Sequence, residues 1–201
     1  MNTLLKKQVL AWAGGIVAGA IVLAVGIAYI VVGANGRTEV HDTIAQEVIV
    51  GSPDMKPGGI ETTLKIDLPT CDVAGKEIDT GDEAKCFAKY MRIHALTATG
   101  GKTYAQMGRF LDANGKDTSD EAAAAKDPKT GQPVQNPQRN LWVSERALAT
   151  GLEMAFFAEQ VSLFGIVVGI VAIVIGVGLW VLVLAVWGPT PWKTTSEGGS
   201  S

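Results

Sequence analysis

The hydrophobic positions of the chain are concentrated in two long runs, one near each end. Val9 to Ala34 and Val161 to Trp187 contain no charged residue. An α-helix rises about 1.5 Å per residue, so about 20 apolar residues cross the ~30 Å hydrocarbon core of a bilayer. Neither run shows the regular polar face of a helix on a soluble protein. The pattern therefore predicts two transmembrane helices, at residues 9–34 and 161–187.

The first run has a second interpretation, as a cleaved signal peptide. Lys6 and Lys7 supply a basic start, and Val32-Gly33-Ala34 is a tolerable cleavage site. The apolar run is about twice the length of a signal-peptide core, so a retained anchor is the favoured interpretation.

The lysines beside the two runs predict the orientation. Lys6 and Lys7 precede the first run and Lys193 follows the second, and short cytoplasmic segments favour Lys and Arg. We therefore expect a plasma-membrane protein whose residues 1–8 and 188–201 are cytoplasmic and whose residues 35–160 are exoplasmic.

The expected exoplasmic segment is acidic. It has a net charge of −5, because three of the 17 Lys and Arg and one of the 20 Asp and Glu lie outside residues 35–160. This balance argues against nucleic-acid binding.

The start of this segment has the composition of short strands. β-Branched residues with partial alternation follow Arg37, and residues 59–70 alternate more cleanly. In that second stretch Ile60, Thr62, Leu64, Ile66 and Leu68 would share one face. Prolines and glycines between the two stretches predict a turn, so we expect extended segments or a small hairpin.

A helix is predicted next, followed by a polar loop. Thr80 has the character of an N-cap, with Asp82 and Glu83 in the first turn. Gly100-Gly101 would end this helix. Residues 112–137 are polar and contain several prolines, which predicts a flexible loop with a short helical turn near residues 120–126.

The last predicted element is one long helix from about Pro137 to Trp187, because no proline interrupts it before Pro189. Its first third would precede the apolar run. The fold class is therefore a mainly α membrane protein, in which two spans flank a small α+β exoplasmic domain.

The sequence around Gly100-Gly101-Lys102-Thr103 resembles the end of a phosphate-binding loop. Such a loop needs a glycine five positions before its final Gly-Lys, and Leu96 stands there. It should also follow a strand, whereas a helix is predicted before it. We interpret the segment as a helix end, with Lys102 near the last carbonyls and Tyr104 packing back, and expect no nucleotide.

The two cysteines, Cys71 and Cys86, both lie in the expected exoplasmic segment. An even number outside the cytoplasm favours a disulfide, here closing a loop of about 16 residues, worth ~3 kcal/mol. Two free or metal-binding thiols are the alternative, but two thiols alone make a poor metal site.

Small residues recur at four-residue spacing in both apolar runs, which allows close helix packing in lipid. They predict packing between the two spans, self-association, or contact with other integral membrane proteins. The residues concerned are Gly15, Gly19, Gly165 and Gly169.

Three features together resemble a family of uncharacterised actinobacterial two-span membrane proteins. They are the stretch HALTATGGKTYAQM, with His94, Gly100, Gly101 and Tyr104, the junction RNLWVSERALATGLEMAFF, and the two-span layout. The polar stretch of residues 112–137 departs from the family pattern. The resemblance implies a fold and a location but no activity.

Some members of that family carry the name of an aromatic-ring-opening dioxygenase, which this sequence does not support. Extradiol dioxygenases hold iron with two His and a carboxylate. The chain has only His41 and His94. For His94 a packed side chain is favoured over a metal ligand or a proton-linked switch, and a metal pair of His41 with His94 is a minor alternative. We expect no cofactor and no metal.

The sequence contains no catalytic motif, and no ionisable residue lies in either apolar run, so neither an enzyme nor a transporter is expected. The favoured function is a non-catalytic accessory or scaffold subunit of a larger cell-envelope complex, such as a respiratory or transport assembly. The alternative is an exoplasmic module that binds a lipid or solute. The residues expected to form its cavity or core are Phe87, Met91, His94, Tyr104 and Phe110.

Overall fold

The computed structural model describes residues 3–187, with side chains for residues 9–186. The predicted cytoplasmic tail, residues 188–201 with Lys193, lies outside the described residues, as do the side chains of Lys6 and Lys7. The described chain is mostly helical, with α1 at Thr3–Ala45, α2 at Gly81–Ala98 and α3 at Pro137–Trp187. A 3-10 turn spans Tyr104–Gln106, and β1 (Phe110–Leu111) pairs antiparallel with β2 (Asp117–Thr118).

The chain forms two compact units. The first, which we call the helix-pair unit, combines the chain up to Asn35 with the chain from Ser162 onward. The second, the central unit, is Gly36–Val161. Both α1 and α3 contribute residues to each unit.

Glycines set the closest approach within the helix-pair unit. A Cβ on Gly26 would lie 2.8 Å from the carbonyl oxygen of Gly169, and one on Gly169 would lie 2.6 Å from that of Gly26. Gly19 meets the Gly176 carbonyl, and Gly33 meets that of Ser162, so the two helix segments run antiparallel. The small residues face each other at a seven-residue spacing, which keeps them on one side of each helix.

The predicted packing glycines take different positions in this unit. Gly19 and Gly169 lie in the tight contact, and Gly15 lies against the Val183 side chain. Gly165 has only ordinary contact, with the Tyr29 carbonyl oxygen 3.7 Å from its built Cβ. The four-residue spacing thus identified the helix face only in part.

Both long helices are long and apolar enough to cross a membrane. Within the apolar stretches of these helices, only 11% of the residues on α1 and 17% on α3 are buried. Most of this apolar surface is therefore left uncovered by the rest of the described chain.

The core of the central unit consists of two clusters of buried side chains. The smaller contains Ala95, Leu96, Met107 and Trp142, with Leu64 and Ile66 packed against it. The larger joins the end of α1, the chain before α2, α2 itself and the first part of α3. Its buried members are Ile44, Met55, Val73, Ile78, Ala84, Cys86, Ala88, Tyr90, Ala149 and Leu152.

The prediction of extended structure directly after the first apolar run is wrong for the residues up to Ala45, because α1 continues to that residue. Val40 and Ile44 stand four positions apart and pack on the larger core cluster. This contact on one helical face overrides the strand preference of the β-branched residues.

Residues 59–70 form no strand. The predicted alternation is nevertheless present at four positions, since the residues between them are exposed while these are half-buried: Ile60, Thr62, Leu64 and Ile66. Leu68 is the exception, at 38% exposed. The segment bends at residues 63–64 and packs by its side chains without a partner strand.

Residues 112–137 contain β2 and two tight turns where a loop with a helical turn was predicted. Lys126 pairs with Pro133 and Phe110 with Gln135 as isolated bridges. Residues 120–126 contain no helix. The Asp112 carboxylate accepts hydrogen bonds from the Asn114 and Lys116 amides, and the Asn114-Gly115 pair between them is a hairpin signal that the loop prediction did not include.

The predictions for the ends of α2 and for α3 are confirmed. The Thr80 hydroxyl accepts from the Glu83 amide in a capping box. Gly100 and Gly101 have φ of +61° and +82°, and the Gly101 amide donates to the Leu96 carbonyl, which closes the helix. α3 runs without interruption from Pro137 to Trp187. The segment that resembled a phosphate loop is therefore a helix end, although Lys102 binds Asp117 and not the last carbonyls.

Candidate functional site

An apolar groove of about 570 Å³ lies in the central unit. The end of α1, the chain just after it, α2 and the first part of α3 form its walls. Its lining is almost entirely apolar. The residues are Thr43, Ile44, Glu47, Ile49, Phe87, Met91, Ala147, Leu148, Gly151, Leu152 and Ala155.

The α3 side of the groove is lined mainly by small residues. Ala147, Gly151 and Ala155 recur every fourth position, so they share one face of the helix. A Cβ built on Gly151 would meet nothing within 4 Å. The opposite wall carries Phe87 and Met91 of α2, also four residues apart. Two long side chains facing a row of small ones leave the open space.

The third wall is the chain that leaves α1. The Ile49 carbonyl accepts from the Ile78 amide at 2.9 Å, and the Gly51 amide donates to the Lys76 carbonyl at 2.9 Å. Val48, next to the groove, has φ of +51°, a left-handed conformation that is strained for a β-branched residue. These bonds hold the strained turn and fix the wall in place.

Polar groups are scarce in the groove. Thr43 and Glu47 of its lining carry polar side chains, and both belong to the end of α1 and the turn after it. Leu148 is 61% exposed, although it is a large apolar residue of the lining. The groove therefore fits an apolar occupant with one polar end that is neutral or cationic.

The five residues predicted as a cavity or core are not brought together. Phe87 and Met91 line the groove. His94 follows Phe87 by seven positions on α2 but does not line the groove; its Nε2 is 2.8 Å from a carboxylate oxygen of Asp54. Tyr104 is 43% exposed and stacks with the Arg139 guanidinium, 4.0 Å from the ring centre. Phe110 is buried in β1.

The two histidines have separate carboxylate partners. His41 lies 3.3 Å from an oxygen of Asp42 and 3.2 Å from one of Asp79. The hydrogen bond with Asp42, together with the charge of Asp79, raises the pKa of His41 above its ordinary value. Within residues 3–187 no group of three or more His, Cys, Asp or Glu is arranged to hold a metal ion.

The predicted disulfide between Cys71 and Cys86 is present, with the two Cα atoms 6.1 Å apart. It ties the extended chain before α2 to the helix. The Tyr90 hydroxyl strengthens this attachment by donating to the Cys71 carbonyl at 2.8 Å.

One unusual buried group is not among the predicted site residues. Glu145 of α3 is 4% exposed, and neither of its carboxylate oxygens has a hydrogen-bond partner within the described chain. Burial raises its pKa, while Arg146 and Arg92 partly oppose the shift. The helical stripe Trp142, Glu145, Ala149, Leu152 contains this one charge among buried positions, which is the signal that could have identified it.

Comparison with known proteins gives no guide to this site. No family model matches the chain, and neither a curated protein nor a solved structure matches it.

Proposed function

We propose that the protein is a membrane-anchored lipid-binding module, whose central unit holds an acyl chain in the apolar groove. The observation that carries the proposal is the groove itself, which is open, almost wholly apolar and lined by Phe87, Met91 and the small residues of α3. Its volume of about 570 Å³ falls in the usual range for sites that take one small molecule.

An acyl chain is the occupant that fits the lining best. A solute with several polar groups would lose hydrogen bonds to water without replacement, because the walls offer polar side chains only at Thr43 and Glu47. The Glu47 carboxylate disfavours a free fatty acid at that end. The ligand is therefore a neutral or cationic lipid.

The anchoring part of the proposal rests on α1 and α3. Both are apolar enough to cross a membrane and expose most of their apolar side chains. The disulfide in the central unit supports an oxidising, exoplasmic location for residues 35–160. With both ends cytoplasmic, the chain would have the topology that its lysines favour. The proposal also includes membership of the actinobacterial two-span family, whose layout of two spans around an external domain the sequence resembles.

A second candidate is the accessory subunit of a larger envelope complex. Ala147, Gly151 and Ala155 form a row of small residues at four-residue spacing along the open groove. A helix of a partner protein could approach closely along such a row. In the helix-pair unit, by contrast, Gly19, Gly26 and Gly169 are already used between α1 and α3, so they provide less support for this candidate.

Photocrosslinking in the native membrane separates the two candidates. Leu148, at the exposed edge of the groove, is replaced by a photoreactive benzoylphenylalanine, and Val143, equally apolar and exposed but outside the groove, serves as the matched control. A lipid adduct at position 148 and not at 143 supports the binding module. A stoichiometric protein adduct at 148 would support the accessory subunit and overturn the lipid proposal.

Filling the groove is the second test. A Cβ at Gly151 meets open space, so Gly151→Phe is expected to fold and to occupy the groove. Native mass spectrometry after mild detergent extraction should find bound lipid on the wild type and little on this variant, whereas Val143→Phe should retain it. A wild type without bound lipid, or equal retention by both variants, would contradict the proposal.

A further inference from the structure

A second groove of the central unit, of about 770 Å³, differs from the first in its charge. The extended chain before the disulfide forms one side and α2 the other. Its lining includes three cations, Lys65, Lys89 and Arg92, and one carboxylate, Asp67. Residues 35–160 as a whole carry a net charge of −5, so this local excess of two positive charges runs against the balance of the segment.

The three cations have no carboxylate partner within ion-pair distance among the described residues, although Arg92 stacks on Trp142 and its charge acts on the buried Glu145. The side chains of Lys65, Lys89 and Arg92 form no hydrogen bond or ion pair with any residue that the structure describes. Elsewhere in the central unit, Arg37 and Lys102 each bind a carboxylate. Unpaired cations gathered in one groove favour an external anion.

The guanidinium of Arg92 is oriented by stacking on an aromatic ring. It lies over the Trp142 ring, 5.4 Å from the ring centre. Trp142 is 2% exposed, and its indole N–H donates to the Lys102 carbonyl at 2.9 Å, so the ring is a fixed platform. Stacking on a ring leaves the guanidinium N–H groups free to donate to an anion in their own plane.

The wall opposite α2 is also fixed. The Tyr90 hydroxyl is within hydrogen-bonding distance of the Pro69 and Cys71 carbonyls, at 3.3 and 2.8 Å, and the Cys71–Cys86 disulfide ties the same segment to α2. Ile93 and Leu96 form an apolar floor between the charged rims. The groove is thus rigid, wider than an inorganic ion requires, and apolar beneath its cations.

We propose that this groove binds a phosphate monoester, whose dianion is held by Arg92, Lys89 and Lys65 and whose organic part lies on the floor. A monoester carries a charge of about −1.5 to −2 at pH 7 and three acceptor oxygens, which matches the excess of two positive charges. This site shares no lining residue with the apolar groove, so its test is independent of the lipid-binding proposal. The ester belongs either to a soluble molecule or to the headgroup of a lipid.

The test uses the full chain in phosphatidylcholine nanodiscs. Glycerol 3-phosphate, titrated by calorimetry, probes the soluble source. Phosphatidic acid, added to the nanodiscs and followed by native mass spectrometry, probes the lipid source with the same headgroup chemistry. Binding of either probe by the wild type is the expected result and identifies the source.

Three charge-removing variants decide whether the groove is responsible. Arg92→Gln and Lys89→Gln should each weaken binding by about tenfold, the loss expected for one charge-assisted hydrogen bond. Lys129→Gln removes the same charge in a turn away from the groove and should bind like the wild type. Lys89 is exposed and unbonded, so its variant is expected to fold even if loss of the stacked Arg92 disturbs the core. The proposal is overturned if the wild type binds neither probe, or if Lys129→Gln weakens binding as much as Lys89→Gln.

Discussion

The Glu159 carboxylate accepts a hydrogen bond from the Gly81 amide, at 2.7 Å, where α2 begins. Its other oxygen accepts from the Arg37 guanidinium at 2.9 Å, so one side chain of α3 joins α1 to α2 within the central unit. A helix N-terminus has unpaired amides and a partial positive charge, both of which an anion satisfies. A Cβ on Gly81 would lie 2.8 Å from the Phe156 Cα, so glycine permits this approach.

Replacing Glu159 should destabilise the central unit. Glu159 is 14% exposed and Arg37 is 50% exposed. We expect Glu159→Gln to lower the free energy of unfolding by about 1–3 kcal/mol, since it weakens a half-buried charged bond to an amide. Arg37→Gln should cost at most about 1 kcal/mol, because solvent screens its charge. Chemical denaturation in detergent, followed by circular dichroism, measures both.

Glu153→Gln is the control for this comparison. Glu153 is 53% exposed and pairs with Arg146 at 3.6 Å, so its loss should change stability by less than about 0.5 kcal/mol. Equal losses at Glu153 and Glu159 would show that the contact with Gly81 contributes nothing specific.

The Cys71–Cys86 disulfide should contribute more to the free energy of unfolding than the Arg37–Glu159 ion pair does. It closes a loop between positions 15 apart, for which the chain-entropy estimate is ~3 kcal/mol. We expect the double variant Cys71→Ser with Cys86→Ser to melt at a lower temperature than the wild type. A reducing agent should lower the melting temperature of the wild type and leave that of the double variant unchanged. A wild type insensitive to reduction would contradict the prediction.

Glu145 should make stability fall as the pH rises. Burial raises its pKa above the ordinary value of 4.5, an effect opposed by Arg146 and Arg92 and reinforced by Glu153. A carboxyl whose pKa is higher in the folded state binds its proton more tightly there. Its contribution to stability is therefore complete below pH 4.5 and is lost as the pH rises through the folded-state pKa.

The corresponding variant is Glu145→Gln, which removes the charge and keeps the shape. At pH 8 it should be more stable than the wild type by about 1 kcal/mol, and the gain should vanish near pH 4. Melting temperatures across this range measure the effect. Asp117→Asn is the control of opposite sign, because the bond from Lys102 and the Gly108 amide lower the pKa of Asp117, so this variant should lose stability at pH 8. A pH-independent difference at Glu145 would refute the mechanism.

The sequence predicted those elements for which local signals and packing agree. α3 follows from an uninterrupted apolar pattern between two prolines, and the start of α2 from the capping residues Thr80 and Glu83. The prediction for the end of α1 is wrong because the β-branched residues after Arg37 favour strands locally. Val40 and Ile44 gain their core contact only in the folded chain, where that contact favours the helix.

The groove could be predicted only in part for a similar reason. Phe87 and Met91 share a helix face with obvious apolar character, so the sequence identified them. The small residues that line the groove, such as Gly151, leave space unfilled. Whether that space becomes a groove depends on how α2 and α3, which are distant in the sequence, pack in the folded chain. The cationic groove depends on the same kind of long-range contact, since Lys65 and Arg92 lie far apart in the sequence.

The antiparallel contact of the helix-pair unit should be sensitive to a single methyl group at Gly169. A Cβ there would lie 2.6 Å from the Gly26 carbonyl oxygen and 2.7 Å from the Ile30 side chain. Because a backbone oxygen cannot move without separating the helices, we expect Gly169→Ala to destabilise the pair by about 1–3 kcal/mol. Gly178→Ala is the matched control, since its Cβ would meet nothing within 4 Å and alanine favours a helix. The melting temperature in detergent should fall for the first variant and stay level or rise for the second; an equal response from both would mean that the close glycine contact does not hold the helices together.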